Sequence, residues 1–465
     1  MDTLNTINEY WSYALIAILL FSAIYFTIKT KGVQFTLIGE MIRLLIHSGK
    51  VKNSNNTTSN ANSISSFQAF AVSIASRVGT GNLAGVATAI AVGGPGAVFW
   101  MWIIALLGAA NAFIESTLAQ LYKVKGEKSF LGGPAYYIKH GIGNKVWAYT
   151  FAILITITFG LAYNSVQSNT IALALNASFG LSNDIIGIFL TIASLLIICG
   201  SIQRISRFSE IIVPFMAIAY IILAIFIISL NIAQIPSVLK LIITEAFSFK
   251  STIGGGMGMA ILMGIKRGLF SNEAGEGSAP NVAATASVSH PVKQGLVQTL
   301  AVYTDTIIIC TCTAFIILFS GTFYTQYNGI ELTQVALVNE IGPIGSYFIT
   351  IAIFFFAFTS IIGNYYYGET NIQFMTDRKE VLWGYRLAVG AMVMLGAKAN
   401  LELVWALADI TMGMMTICNL AAILVLGKYA IILLNDYRLQ RLKGYDPTYR
   451  SSTIPHIASK TKCWK

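Results

Sequence analysis

The sequence predicts an all-α, polytopic membrane protein with eleven transmembrane helices, one at the N-terminus and ten in a core. Three observations predict it. Of 465 residues, 55% are hydrophobic and 11% are charged, whereas an ordinary soluble domain carries about 25% charge; the mean hydropathy is +0.68. The apolar residues form continuous runs near the roughly 20 residues a spanning helix needs, not the alternating segments of a membrane barrel. Two of these runs are interrupted by clustered glycines, the worst helix formers after proline.

The first run, Trp11 to Ile28, follows Asp2 and Glu9 and no basic residue. A signal peptide has the opposite charge pattern, so this run is expected to be a mature helix. Next come a short amphipathic stretch, Ile42–Ile46, and a polar tract, Lys50–Asn62, expected to be a solvated linker. The remaining spans are expected near 67–92, 96–121, 146–175, 184–201, 208–230, 252–279, 294–319, 345–366, 382–397 and 402–427. The chain therefore divides into an N-terminal part (1–66), a core of ten helices (67–427) and a basic tail (428–465).

Basic residues orient the chain. With the N-terminus outside, the inside stretches hold 24 Lys and Arg and the outside stretches hold three, Lys240, Lys250 and Lys398. Such a bias marks the cytoplasmic side. It predicts an outside N-terminus, an inside C-terminus and an odd number of spans in a cell membrane. The net charge of +10 is then explained by loops facing anionic lipid, not by nucleic acid.

The two broken runs carry the functional signal. The first reads RVGTGNLAGVATAIAVGGPGA from Arg77 to Ala97. Irregular backbone at membrane depth is tolerated where it is buried in protein or lines a cavity, so Val78–Asn82 is a candidate binding site; close packing through small residues is the alternative. The second spans Ile253 to Pro280 and offers two breaks, Gly254–Gly258 and Gly268–Gly277. The latter is preferred because Ser271, Asn272, Glu273 and Glu276 accompany it. If the ten core helices split five and five, into repeats of about 67–230 and 252–427, each half opens on a broken helix. Interrupted helices at corresponding positions of inverted repeats point to a secondary transporter's binding site.

The chemistry suits an amino acid and a cation. Free amides at Gly79, Thr80, Gly81 and Asn82 can hold a carboxylate without a charged side chain. Freed carbonyls and the hydroxyls of Thr359 and Ser360 suit a hard cation. Asn364, Asn164 and Gln167 are polar groups in apolar spans, equally suited to ligand contact or to bonding between helices. Glu115, Asp305 and Asp409 also fall in expected spans; each is read as an ion-coupling or gating group, as a paired structural charge, or as a charge nearer the interface than these span boundaries place it.

Other classes lack their motifs. There is no G-x-x-x-x-G-K-[ST] stretch for an ATP motor and no G-x-S-x-G nucleophile elbow. The four histidines are scattered without metal-site spacing. A membrane enzyme using Glu273 and Glu276 as acid and base would still need a nucleophile or metal, so no enzymatic activity and no cofactor are expected. A transporter-like amino acid receptor is a further reading. The five cysteines are expected to be packing residues.

The strings GTGNLAGVATAIAVGGPGAVFWMW, GGPAYYI (Gly132–Ile138), RGLFSNEAGEGSAP and FTSIIGNYYYGE resemble the alanine or glycine:cation symporter family. Their order and spacing match it from Phe67 to Leu426. The resemblance implies the LeuT-type 5+5 inverted-repeat fold with one extra N-terminal helix, and sodium-coupled uptake of a small neutral amino acid, alanine or glycine. It further implies that Thr80 and Gly81 hold the substrate carboxylate, that Gln167, Phe270, Ser271 and Asn364 line the rest, and that Phe270 limits side-chain volume. Sodium would sit between the backbone at Ile74, Ala75 and Val78 and the hydroxyls of Thr359 and Ser360. A proton could replace sodium as the coupling ion, but the hydroxyl pair favours sodium. Glu276 stands where a neutral residue is expected in relatives; its charge would alter gating or face water.

Overall fold

The computed structural model describes residues 2–48, 64–126, 129–200, 202–248 and 256–464. The polar tract Lys50–Asn62 and Gly254–Gly255 of the alternative break lie outside the described residues. Each of the eleven expected segments contains helix. Eight are long and apolar enough to cross a membrane: Trp11–Lys29, Ala97–Leu121, Lys145–Phe179, Ile202–Leu230, Pro291–Ser320, Ile344–Met375, Lys379–Lys398 and Leu401–Leu442. The other three are Asn183–Ile198 and the two broken helices.

The first broken helix begins with a capping box. Ser65 accepts from the Gln68 amide at 3.1 Å, and Gln68 returns its side-chain oxygen to the Ser65 amide at 3.0 Å. Its first and second halves are Ser66–Arg77 and Val86–Gly93, joined through extended Val78 and a π-helical turn, Gly81–Gly85. The second runs as Gly256–Asn272, stops at Glu273–Ser278, and resumes briefly as Ala279–Ala283. A break thus falls within the preferred stretch, Gly268–Gly277 and the residue after it. Gly275 and Gly277 adopt φ of 95° and 85° there, which glycine reaches without a Cβ penalty.

The two broken helices lie against each other at the centre of the core. A Cβ at Gly81 would stand 3.0 Å from Ser271 Cα and 3.2 Å from the Phe270 ring, so glycine is what lets the two breaks touch. Around them pack Ala97–Leu121, Pro291–Val302, Asn164–Phe179 and Ile344–Met375.

Two helices between spans were not expected, Ile235–Ala246 and Gly329–Ile341. The second covers the first break. Its Thr333 donates to the Leu83 carbonyl at 3.1 Å, which lies in the π-turn, and Gln334 donates to the Ala174 carbonyl at 3.2 Å. The last helix continues to Leu442, fifteen residues beyond the expected end at 427. The tail then folds back on the ends of neighbouring helices. Tyr449 N–H donates to Ser289 O at 2.8 Å, Lys293 pairs with Asp446 at 2.7 Å, and Trp464 Nε1 donates to Gln120 O at 2.9 Å.

Candidate functional site

Breaking a helix exposes amides that must find acceptors in a buried setting. At the first break, Gly79 N–H donates to Asn82 Oδ1 at 2.9 Å and Thr80 N–H to Gln167 Oε1 at 3.0 Å. The Thr80 hydroxyl donates to that same Gln167 oxygen at 2.7 Å. One amide oxygen therefore collects the two donors that were expected to receive a carboxylate. At the second break, Gly275 and Gly277 amides donate to the two oxygens of Glu115 at 3.2 and 3.1 Å, and Asn419 adds a bond at 2.8 Å. Glu115 thus acts as the acceptor for unwound backbone.

Thr80, Gln167, Phe270, Ser271 and Asn364 are all buried. The Phe270 ring lies between Tyr163, at 4.4 Å, and Trp405, at 4.6 Å. Ser271 turns its hydroxyl to Asp305 Oδ2 at 2.7 Å. Asp305 also accepts from Asn82 Nδ2 at 2.7 Å and Thr306 at 2.8 Å, so three donors surround this carboxylate. Asn364 accepts from Ser76 at 2.7 Å and donates to Asn164 at 3.2 Å.

Of the residues assigned to sodium, three converge. Ser360 Oγ lies 2.9 Å from Ala75 O and 3.4 Å from Val78 O, across two helices. Thr359 keeps its hydroxyl on Phe356 O at 2.9 Å in its own helix, and Ile74 O accepts from Val78 N–H at 2.8 Å. The Phe356 carbonyl, which also takes Ser360 at 3.0 Å, was not expected; a backbone oxygen leaves no mark in sequence. Ser76 and Trp405 were also missed. Ser76 sits one residue before Arg77 as a polar group in an apolar run, a usable signal; Trp405 offered none.

The remaining charges sort themselves. Asp409 pairs with Lys266 at 2.9 Å and Arg267 at 2.8 Å, and the guanidinium stacks 4.1 Å from the Trp405 ring. This is the structural reading of Asp409, a carboxylate compensated by two cations. The same pairing takes Lys266 and Arg267 away from Glu273 and Glu276. Glu276 does not face water: it is fully buried, with the Tyr163 hydroxyl 3.3 Å from both its oxygens.

Two interrupted helices, face to face within a helical membrane core, define a secondary transporter of the LeuT-type fold. The solved structure of MhsT in complex with L-phenylalanine shares that fold, at a TM-score of 0.54 and 16% identity over 88% of this chain and 93% of that one. The chain belongs to the sodium:alanine symporter family, whose model matches residues 1–451. It is 49% identical to GlnT of Bacillus subtilis, named "Probable sodium/glutamine symporter", over 98% of this chain and 94% of the relative. It is 37% identical to the sodium/alanine symporter AgcS of Methanococcus maripaludis, over 92% and 95%. Family and fold are those of transporters and not of enzymes, and they make this a multi-pass membrane protein of cation-coupled amino acid symport.

Proposed function

We propose that the protein is a secondary active symporter that couples inward sodium movement to uptake of a small neutral amino acid, alanine or glycine. It works by alternating access in the cell membrane, with the N-terminus outside and the C-terminus inside; the 24-to-3 distribution of basic residues supports that orientation. The observation that carries the reading is the pairing at the first break. Thr80 presents an amide and a hydroxyl to one oxygen, the pattern a substrate carboxylate oxygen would take. One turn away, Ser360 meets two carbonyls of the same broken helix. Sodium bound between Ile74, Ala75, Val78, Thr359 and Ser360 would order that helix and so complete the amino acid site of Thr80, Gly81, Gln167, Phe270, Ser271 and Asn364.

Phe270, wedged between two rings, is placed to limit the substrate side chain. Phe270→Ala is expected to bring larger neutral amino acids within about tenfold of alanine, the lower end of what a single methylene is worth in an apolar pocket (~10–200-fold). Competition of labelled alanine uptake by leucine and methionine checks this, and unchanged exclusion moves the wall elsewhere. A glutamine carrier is the second reading, favoured by the name of the 49%-identical relative.

The test is uptake of labelled alanine, glycine and glutamine into proteoliposomes under an inward sodium gradient, with potassium and proton gradients alongside. Concentrative alanine or glycine uptake with sodium is expected. Uptake driven by protons alone discards the Thr359–Ser360 sodium site. Preferred glutamine uptake replaces the substrate, and binding without uptake replaces the transporter by a receptor.

A further inference from the structure

A hydrogen-bond chain runs from a backbone carbonyl to the second break and fixes where every proton in it must lie. Asn164 Nδ2 donates to the Gly160 carbonyl at 3.1 Å. A carbonyl only accepts, so Asn164 cannot be flipped, and its Oδ1 must face Asn364. Asn364 then presents Nδ2 to Asn164, at 3.2 Å, and turns Oδ1 to Ser76. Ser76 Oγ lies 2.7 Å from that Oδ1 and must give it a proton. A hydroxyl has one proton to give. Yet Ser76 Oγ also lies 2.8 Å from Glu273 Oε1. For both contacts to be hydrogen bonds, the proton in the second must come from the glutamate.

We propose that Glu273 is a proton-binding site, present in this conformation as the neutral acid, with its Oε1–H donating to Ser76 Oγ. Its other oxygen accepts from Ser278 at 2.6 Å, as the carbonyl oxygen of an acid does. The surrounding charge agrees. Arg77 (first broken helix), Glu276 (the same unwound segment), Asp305 (helix Tyr303–Cys310), Tyr163 and Tyr367 face Glu273, and Glu115 faces Arg77 and Glu276. Among the described residues of this region, Arg77 is thus set against four carboxylates, since Lys266 and Arg267 pair with Asp409. Asp305 and Glu115 each collect three donors, as anions do. Four ionised carboxylates against one guanidinium would leave three excess negative charges in the membrane core, at several kcal/mol each.

The proton decides what Asn364 does. When Glu273 releases it to water, Oε1 becomes an anionic acceptor. Ser76 then has one proton for two acceptors, and the charge-assisted bond is the stronger. Ser76 turns to Glu273, and Asn364 Oδ1 loses its donor. Glu273 sits at φ 55° in the second break, while Ser76 lies in the last turn of the first helix's N-terminal half, Ser66–Arg77, so one proton links both breaks to a residue assigned to the substrate site. This consequence for substrate rests on the proposed role of Asn364; the proton on Glu273 does not.

The experiment is infrared spectroscopy of the whole protein in lipid at neutral pH, comparing the native chain with Glu273→Gln and Glu276→Gln. A carboxylic-acid C=O band is expected in the native protein and in Glu276→Gln, and its loss in Glu273→Gln. A band that survives Glu273→Gln, or that disappears in Glu276→Gln instead, overturns the assignment. If Glu273→Gln fails to fold, Ser76→Ala is read: removing the acceptor must shift the band, and an unshifted band overturns the proposal. Alanine uptake follows as the second readout. Glutamine donates to Ser76 and accepts from Ser278 as the acid does, so it should hold the low-pH state. The native half-saturation concentration is expected to change by at least about fivefold across the titration, the lower end of ordinary site coupling, and that of Glu273→Gln by less than about twofold. Equal pH dependence in both overturns the link to substrate. If alanine is not the substrate, the infrared result still stands or falls by itself.

Discussion

Gly79→Ala is expected to cut transport by about 10- to 100-fold in a protein that still folds and inserts. A Cβ at this position would be driven into the Ser360 hydroxyl and would stand 2.8 Å from Gln167 Oε1. Neither neighbour can step aside without loss. Ser360 is held on Ala75 O, at 2.9 Å, and Gln167 on the Thr80 amide and hydroxyl. One methyl group therefore strikes the proposed sodium site and the proposed carboxylate site together. Overpacking of this kind costs ~1–3 kcal/mol, and each 1.4 kcal/mol is tenfold in an equilibrium. Gly85→Ala, at the end of the π-turn that follows, is the control, because its new methyl would meet nothing nearer than 3.7 Å. Initial uptake rates, normalised to monodisperse protein, check both. Full activity in Gly79→Ala would mean that the first break is packing and not a site.

Thr359→Ala combined with Ser360→Ala is expected to raise the sodium concentration for half-maximal uptake by about 10- to 100-fold, the worth of losing ~1.5–3 kcal/mol of bonding to a charged group. The two hydroxyls are not equivalent. Ser360 reaches across to Ala75 and Val78, whereas Thr359 bonds its own helix at Phe356. Ser360→Ala alone should therefore carry most of the effect. A sodium titration at saturating amino acid checks it, and an unchanged curve places the ion elsewhere. The double variant also separates the mechanisms: loss of sodium dependence with retained pH dependence would leave the Glu273 proton as an independent input.

Much of this arrangement was legible without coordinates. The spans follow from the length of apolar runs, because lipid admits nothing else. The breaks follow from glycine clusters, and the choice of Gly268–Gly277 over Gly254–Gly258 followed from the polar residues that accompany it. The observed stop at Glu273–Ser278 falls inside that choice. Helix Gly329–Ile341 was not legible, because its identity as a cover depends on Thr333 meeting the Leu83 carbonyl, a group that is free only because the π-turn exists.

The charges mark the boundary between the two kinds of knowledge. Sequence alone put Glu115, Asp305, Asp409, Glu273 and Glu276 within expected spans, where ionisable groups are costly and need a reason. It determined the class of protein, the two breaks and the residue types at them. Only the tertiary structure decided what each carboxylate is for. Asp409 neutralises Lys266 and Arg267, Glu115 accepts the amides of the second break, Asp305 gathers three hydroxyl and amide donors, and Glu273 faces a serine whose proton is already committed. The physical reason is that hydrophobicity and helix propensity are local and additive along the chain, so they can be read from it. A hydrogen bond or ion pair in a low-dielectric core depends on which group stands within 3 Å, and here the partners come from helices far apart in sequence.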